Sequence, residues 1–320
     1  MILCYTESMQ QKIAVAVDLG ASNLRVALVS VDGTIVEKAR TQTSREGTSG
    51  SVITRQIIEL IRSLLQKNKT KRPKGIGISS IGPLNYKRGG PENSPNIPFS
   101  FVPLVQPLEK EFSAPVLLLN DCNAAVLGEK YFGAGKNVQN LAYVTISTGI
   151  GGGAIVNGKL LLGKGGNAAE VGHFFVDSHY NIPCTCQKGI GHWEGLASGR
   201  NIPRFFEAWL KEKNKIAPFE VTEAKDIFEA AKKEDAAALE FLDELAKVNA
   251  RAISNIIVGY DPELITLGGS VVLHNSKVIL DGIKKYADHF LAIPRIIITP
   301  LKEDVTLLGA TAAVFQKKEG

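Results

Sequence analysis

Apolar residues fill Ile13 to Val17 (IAVAV) and stop at Asp18-Leu19-Gly20, and a second apolar run, Leu24 to Val31, follows after a short polar interval. Runs this short, rich in Ile and Val and bounded by turn residues, predict buried β-strands. Asp32-Gly33 turns the chain into a third strand, Thr34 to Ala39, so the opening stretch predicts a β-meander whose first turn reads DLGASN. From Ser51 to Leu65 the period changes: Ile53, Ile57, Ile58, Ile61, Leu64 and Leu65 recur at helical spacing and predict an amphipathic helix. Buried strands follow at Lys74 to Ser79 and Pro115 to Leu119, separated by a Pro/Gly/Asn-rich loop from Gly82 to Pro98 and by a helix.

The same grammar returns at Leu141. LAYVTIS predicts a strand, STGIGGG a turn, and GAIVNGKLLLG a hairpin around Asn157-Gly158; a loop-rich insertion then runs from Gly163 to His192. Helices are predicted at about Gly195 to Glu212, Thr222 to Lys233 and Asp235 to Val258, then a strand Leu264 to Leu267, a helix Lys277 to Phe290, a strand Arg295 to Ile298 and a last helix Leu307 to Gln316. The expected organisation is two α/β lobes. Residues 1–120, joined by the returning last helix at about 305–320, form the smaller one, and 121–304, with the insertion, the larger.

Length agrees: 320 residues suit two cores better than one. With 44% hydrophobic and 22% charged residues the chain has the make-up of a globular protein. Its net charge of +5 is a small surplus of 37 basic over 32 acidic residues. The lysine-rich stretches Lys67 to Lys74 and Lys211 to Lys215 lack the interleaved aromatics of a nucleic-acid groove, so they read as solvated surface and no nucleic-acid partner is expected. No run reaches the ~18 to 20 apolar residues that span a bilayer, and MILCYTESMQ lacks the basic start of a signal peptide. A cytoplasmic protein with no membrane partner is expected. Glycine stands out at 31 residues, which calls for tight turns or close backbone approach. Cys4 and Cys122 are isolated, whereas Cys184 and Cys186 are one residue apart, a spacing that favours metal over disulfide in such a chain.

Four segments carry candidate chemistry. In Asp18-Leu19-Gly20-Ala21-Ser22-Asn23, a Gly-bearing hairpin lets backbone N–H groups approach a phosphate, Ser22 adds a hydroxyl, and Asp18 can hold Mg2+ through water; ordinary turn chemistry accounts for the same residues. Ser147-Thr148-Gly149-Ile150-Gly151-Gly152-Gly153 follows a strand and precedes another, unlike a Walker or Rossmann loop, which opens a helix. Two such turns, one per lobe, would clasp a nucleotide; glycine bulges in two hairpins are the alternative. Asn120-Asp121 sits where a buried strand gives way to a helix. There Asp121 can take the proton of a hydroxyl attacking a phosphoryl group while Asn120 fixes that hydroxyl, or Asp121 can simply cap the helix. His173, Cys184, Cys186 and His192 offer two nitrogens and two sulfurs suited to tetrahedral, structural Zn2+, unless they fall together by chance.

Taken together, these segments resemble the ROK group of sugar kinases and related repressors, and the recurring turn, strand pairs and crossover helices resemble the duplicated ATPase fold of actin, the Hsp70 chaperones and the sugar kinases. DLGASN is similar to the family's first phosphate loop DxGGTK, SPNIP (Ser94 to Pro98) to its sugar loop, and NDCNAA to its catalytic NDANAA. STGIGGG is similar to the second phosphate loop, EVGH with the cysteines to the zinc signature, and Leu267-Gly268-Gly269-Ser270 to the adenosine-side glycine pair. The resemblance implies a two-lobed, actin-like (ribonuclease H-like) α/β fold with its active site in the cleft between lobes. It also implies a homodimer that uses ATP, Mg2+ and a structural Zn2+ to phosphorylate a hexose, glucose first, at the 6-hydroxyl.

By position, Asp121 would be the general base. Asn96, Asn120, Glu170, His173 and Glu194 would hold the sugar, with His173 also on zinc. Gly20, Ser22, Asn23, Thr148, Gly149, Gly151, Gly268 and Gly269 would contact the nucleotide, and Asp18 would serve Mg2+. Two departures stand out: Ala21-Ser22 replaces Gly-Thr, and CTCQKGIGHWE replaces CxCGxxGCxE, one residue longer and with His192 for the third cysteine. An N-acetylmannosamine or N-acetylglucosamine kinase is the alternative activity. A sugar-responsive repressor would need a winged-helix domain ahead of the first strand, and an actin- or chaperone-like ATPase would have no use for SPNIP or for Glu170, His173 and Glu194.

Overall fold

The computed structural model describes residues 12–70 and 72–316; Cys4 with the rest of MILCYTESMQ, and Lys71 of the lysine-rich stretch, lie outside the described residues. In chain order the elements begin β1 (Ile13–Leu19), β2 (Asn23–Ser30), β3 (Ile35–Gln42), α1 (Ser51–Lys67) and β4 (Ile76–Ser80), then a small hairpin of β5 (Leu84–Asn85) and β6 (Gly90–Pro91), α2 (Val105–Phe112), β7 (Val116–Asn120) and α3 (Asp121–Tyr131). They continue with β8 (Leu141–Ile146), β9 (Ile150–Val156), β10 (Lys159–Leu160), a 3-10 turn at Val171–His173, α4 (Trp193–Ala197), α5 (Ile202–Glu212), α6 (Ala224–Lys232) and α7 (Ala236–Tyr260). Last come β11 (Leu264–Gly268), α8 (Ser270–His274), α9 (Ser276–Tyr286), β12 (Arg295–Ile298) and α10 (Val305–Gln316). Contacts divide the chain into two units, the first ending at Gly128 and resuming at Thr306, the second Glu129–Val305.

In the first unit a five-stranded sheet runs β3-β2-β1-β4-β7, antiparallel among the first three and parallel from β1 onward. β4 is buried at every position and lies inside the sheet, while β3 alternates half-buried and exposed residues, as an edge strand must. Ile53, Ile57, Ile61 and Leu64 form the buried stripe of α1 and join Val15, Val17, Ile76 and Ile78 in one core. On α10, a Cβ on Gly309 would fall 1.6 Å from the Ala124 carbonyl oxygen, and a Cβ on Gly77 of β4 would fall 1.9 Å from that of Ala310. Helix α10 therefore packs backbone against backbone on both β4 and the first half of α3. That contact carries the unit through Gly128, inside α3, whereas the expected lobe boundary lay ahead of Asp121.

The second unit repeats the order as β10-β9-β8-β11-β12, with two antiparallel pairings followed by two parallel ones. Its hairpin turns on Asn157 (φ 51°) and Gly158 (φ 74°), the two positive φ values that a two-residue turn of this kind requires. Trp193, fully buried, donates from Nε1 to Asn249 Oδ1 at 2.8 Å. Phe205, Phe206, Trp209 and Phe241 pack edge-on and stacked beside it in the same core.

The helix expected over Gly195 to Glu212 is broken into α4 and α5. Asn201 Nδ2 donates to the Glu194 carbonyl and to Ser198 Oγ, both at 2.9 Å, and the Gly199 N–H leaves the helix for the Ser147 carbonyl at 2.7 Å. The helix expected to reach Phe290 stops at Tyr286, because Ala287 is extended and the Asp288 N–H is taken by Ser254 Oγ at 2.8 Å. No helix among the described residues is long and apolar enough to cross a membrane.

Near the end of α3, the buried Glu129 carboxylate accepts from the Ala134 N–H at 3.1 Å and from Thr299 Oγ1. Burial raises its pKa, against the lowering effect of those two bonds. A carboxyl whose folded pKa is raised contributes stability at acidic pH that is lost as pH rises through the folded value. Glu129→Gln should therefore gain stability relative to wild type as pH rises from 5 to 8 in urea unfolding; a difference independent of pH would contradict this. Gly309→Ala should cost about 2 to 3 kcal/mol despite the ~1 kcal/mol that alanine gains over glycine as a helix former, because the obstacle is backbone that cannot move aside. An unchanged unfolding midpoint would refute that packing.

Candidate functional site

In the first unit, the Gly20 N–H donates to the Asn23 carbonyl at 2.9 Å and closes the turn between β1 and β2. Asp18 and Arg25 face each other across these strands. Arg25 places Nε and Nη2 at 3.0 and 2.7 Å from Asp18 Oδ2, and Ser79 Oγ donates to Oδ1 at 2.9 Å. With both oxygens engaged and the side chain only 14% exposed, Asp18 fits a role toward Mg2+ through water and does not fit direct ligation. Asn23, expected at the nucleotide, has its Oδ1 accepting from Arg40 Nε and Nη2 at 3.2 and 3.1 Å.

Asn120 ends β7 and Asp121 opens α3. The Cys122 N–H donates to Asn120 Oδ1 at 2.9 Å and to Asp121 Oδ1 at 2.8 Å, so one amide orients both side chains at the positive end of the helix dipole. The capping alternative and the catalytic one thus share one geometry. Asn96 lies in the loop after β6, where Ser94 Oγ donates to the Gly82 carbonyl at 2.9 Å. A Cβ on Gly82 would stand 3.6 Å from Asn120 Nδ2, so the residue that accepts from Ser94 lies beside the end of β7.

In the second unit the Ser147 N–H donates to the Gly149 carbonyl at 2.8 Å. The two N–H groups freed at the α4/α5 break, Gly199 and Arg200, donate to the Ser147 and Thr148 carbonyls at 2.7 and 3.4 Å. Gly269 (φ 87°) has no room for a side chain, since its Cβ would fall 2.4 Å from the Ile146 carbonyl, and Ser270 Oγ lies 3.0 Å from Ser147 Oγ. Thr148, Gly149, Gly268 and Gly269 are thereby brought together. Gly151 lies within β9, paired with Thr145, one step outside the turn. Glu194 Oε2 accepts from the Ile150 N–H at 3.0 Å and its Oε1 from Thr185 Oγ1 at 2.8 Å. Glu170 precedes the 3-10 turn that carries His173, and loss of surrounding water raises its carboxyl pKa, with His173 opposing and Glu194 reinforcing the shift.

The ligand atoms of His173, Cys184, Cys186 and His192 all lie within 4.8 Å of one another. His173 Nδ1 stands 4.0 Å from Cys184 Sγ, and His192 Nδ1 3.6 Å from Cys186 Sγ. Ligands of tetrahedral zinc are separated by about 3.3 to 3.8 Å, so a small contraction closes the set around an ion. Burial pushes the Cys184 thiol up to about 11, and desolvation followed by the charge of His173 lowers His192. The extra residue of CTCQKGIGH does not carry His192 out of the cluster.

The family model of ROK matches residues 14–317. The chain belongs to the ROK family. A glucokinase of Pyrobaculum calidifontis is 36% identical over 305 residues, covering 95% of each chain. A ROK hexokinase from Thermus thermophilus has a TM-score of 0.80 at 27% identity, over 96% of this chain and 100% of that one. A ROK family glucokinase from Streptomyces griseus, solved in complex with glucose and AMPPNP, gives 0.73 at 26% identity, over 95% and 99%. ROK sugar kinases carry the actin-like ATPase fold, and the two sheets here are its repeated ribonuclease H-like units.

Beyond the ROK motifs, several residues act on the site with no mark in the sequence. Thr185 sits between two cysteines and reads as a spacer, yet its hydroxyl orients Glu194. Thr43 and Arg45, past the end of β3, donate to the first turn from behind. Arg25 is the exception, since the antiparallel register of the first hairpin sets it opposite Asp18.

Proposed function

We propose that this ROK protein is an ATP-dependent hexose kinase that phosphorylates glucose at its 6-hydroxyl, with Asp121 as the general base. The observation that carries the reading is the pairing of Asn120 and Asp121 on one amide at the carboxyl end of a parallel strand, where ligands of α/β sheets bind. The 36% identity to a glucokinase over nearly the whole chain supports the substrate.

Asn96, Asn120, Glu170, His173 and Glu194 hold the sugar hydroxyls. Asp121 accepts the proton of the 6-hydroxyl as its oxygen bonds to the γ-phosphorus and the bond from that phosphorus to ADP breaks. The N–H groups of the Gly20 and Gly149 turns, with Gly268 and Gly269, position ATP, and Asp18 would serve the Mg2+ that accompanies it. Mg2+, when bound, neutralises charge on the phosphates.

His173, Cys184, Cys186 and His192 would hold a structural Zn2+. The donor set and spacing fit it, and an ion there would fix the segment whose Thr185 hydroxyl holds Glu194. The same reading carries the expectation of a homodimer working in the cytoplasm without nucleic acid.

Asp121→Asn should lower kcat by about 10²- to 10⁴-fold while glucose affinity stays within a few-fold. Near-normal turnover in a coupled assay would remove Asp121 as the base. Zinc uptake must expel the Cys184 proton, so affinity measured against a chromophoric chelator should rise from pH 6 to pH 8 and fall about 10- to 100-fold or more in Cys184→Ser. Uptake independent of both pH and Cys184 would exclude this ligand set.

A further inference from the structure

Three donors from the segment just past β3 reach three successive carbonyls of the first phosphate turn. Thr43 Oγ1 donates to the Gly20 carbonyl at 2.8 Å, Arg45 Nη1 to that of Ala21 at 3.3 Å, and the Thr43 N–H to that of Ser22 at 3.0 Å. In a trans peptide the C=O and the following N–H point in opposite directions. With these carbonyls turned toward Thr43 and Arg45, the N–H groups of Ala21, Ser22 and Asn23 face away, as a concavity for phosphate oxygens requires. The donors are themselves anchored. Thr43 is 4% exposed, the Ser44 N–H donates to Gln56 Oε1 at 3.1 Å, and Gln56 Nε2 donates back to the Gln42 carbonyl at 2.8 Å.

Arg45 makes a second reach. The same Nη1 donates to the Asn96 carbonyl at 3.1 Å, one hydrogen for each acceptor. One nitrogen therefore ties the main chain of the phosphate turn to the main chain of the SPNIP loop, all within the first unit.

We infer that Arg45 is a positioning residue that couples the two substrates: hexose seated on the Asn96 loop and phosphate seated on the Gly20–Asn23 turn strengthen each other's binding through its guanidinium. The inference rests on the kinase reading above. Each ligand orders the loop it touches, and a shared tether means that ordering one loop removes freedom the other would otherwise lose on binding. Arg45 is exposed and its acceptors are neutral carbonyls, so the tether adjusts two loops and does not support the fold.

Calorimetric titration of the full chain with glucose, with and without saturating AMPPNP and Mg2+, and then in the reverse order, tests this. Wild type should show a coupling of about fivefold, the same in both directions. In Arg45→Met the factor should fall to near one with the thermal midpoint unchanged, and Arg45→Lys, which keeps a cationic donor, should restore part of it. Wild-type coupling retained in Arg45→Met, or absent from wild type when both ligands bind, overturns the inference alone. A wild type that binds neither glucose nor AMPPNP overturns the kinase reading itself.

Discussion

A Cβ on Gly309 would fall 1.6 Å from the Ala124 carbonyl oxygen, and this absence of a side chain is the constraint on which the placement of Asp121 in the first unit depends. It lets α10 meet α3 about one turn from Asp121, while Gly77 lets the same helix lie against β4. Strand β7 pairs with β4 and runs directly into α3, so the Asn120-Asp121 junction is held by the sheet on one side and by α10 on the other. Contacts between backbones do not hop between rotamers, and they hold the Asn120-Asp121 junction more firmly than packed side chains would.

Partners, more than residue type, divide the carboxylates among tasks. Asp18 has Arg25 on one oxygen and Ser79 on the other, which fixes its side chain beside the Gly20 turn. Asp121 has its Oδ1 directed by the Cys122 amide at a helix start. Glu194 accepts from the second glycine turn with one oxygen and from Thr185 with the other, linking the cysteine hairpin to the loop expected to carry phosphate. Glu129, buried with a hydroxyl and an amide, belongs to the structure of the helix end.

The strands were legible because short β-branched runs stop at glycine or Asn-Gly, and the repeated grammar of the two halves appears directly as two sheets of the same order. The break between α4 and α5 is marked locally by Ser198-Gly199-Arg200-Asn201 ahead of Pro203, which the helix expected over Gly195 to Glu212 passed over, while its partners are remote in sequence: the Ser147 and Thr148 carbonyls accept from the Gly199 and Arg200 N–H groups. The site shows the same division. Asn120-Asp121 and the four Cys and His residues announce themselves by type and spacing. Thr185 and Arg45 act through single hydrogen bonds whose acceptors only the fold brings near.

The proposed transfer joins proton loss to Asp121 with passage of the γ-phosphoryl group of ATP to the sugar 6-hydroxyl. Its most direct test is the fate of the γ-phosphoryl of radiolabelled ATP, followed with the purified protein in the presence and absence of glucose. Label should appear in glucose 6-phosphate, one for each ADP formed, with little release of inorganic phosphate without sugar. ADP formed at the same rate without glucose, with the label in inorganic phosphate, would contradict it.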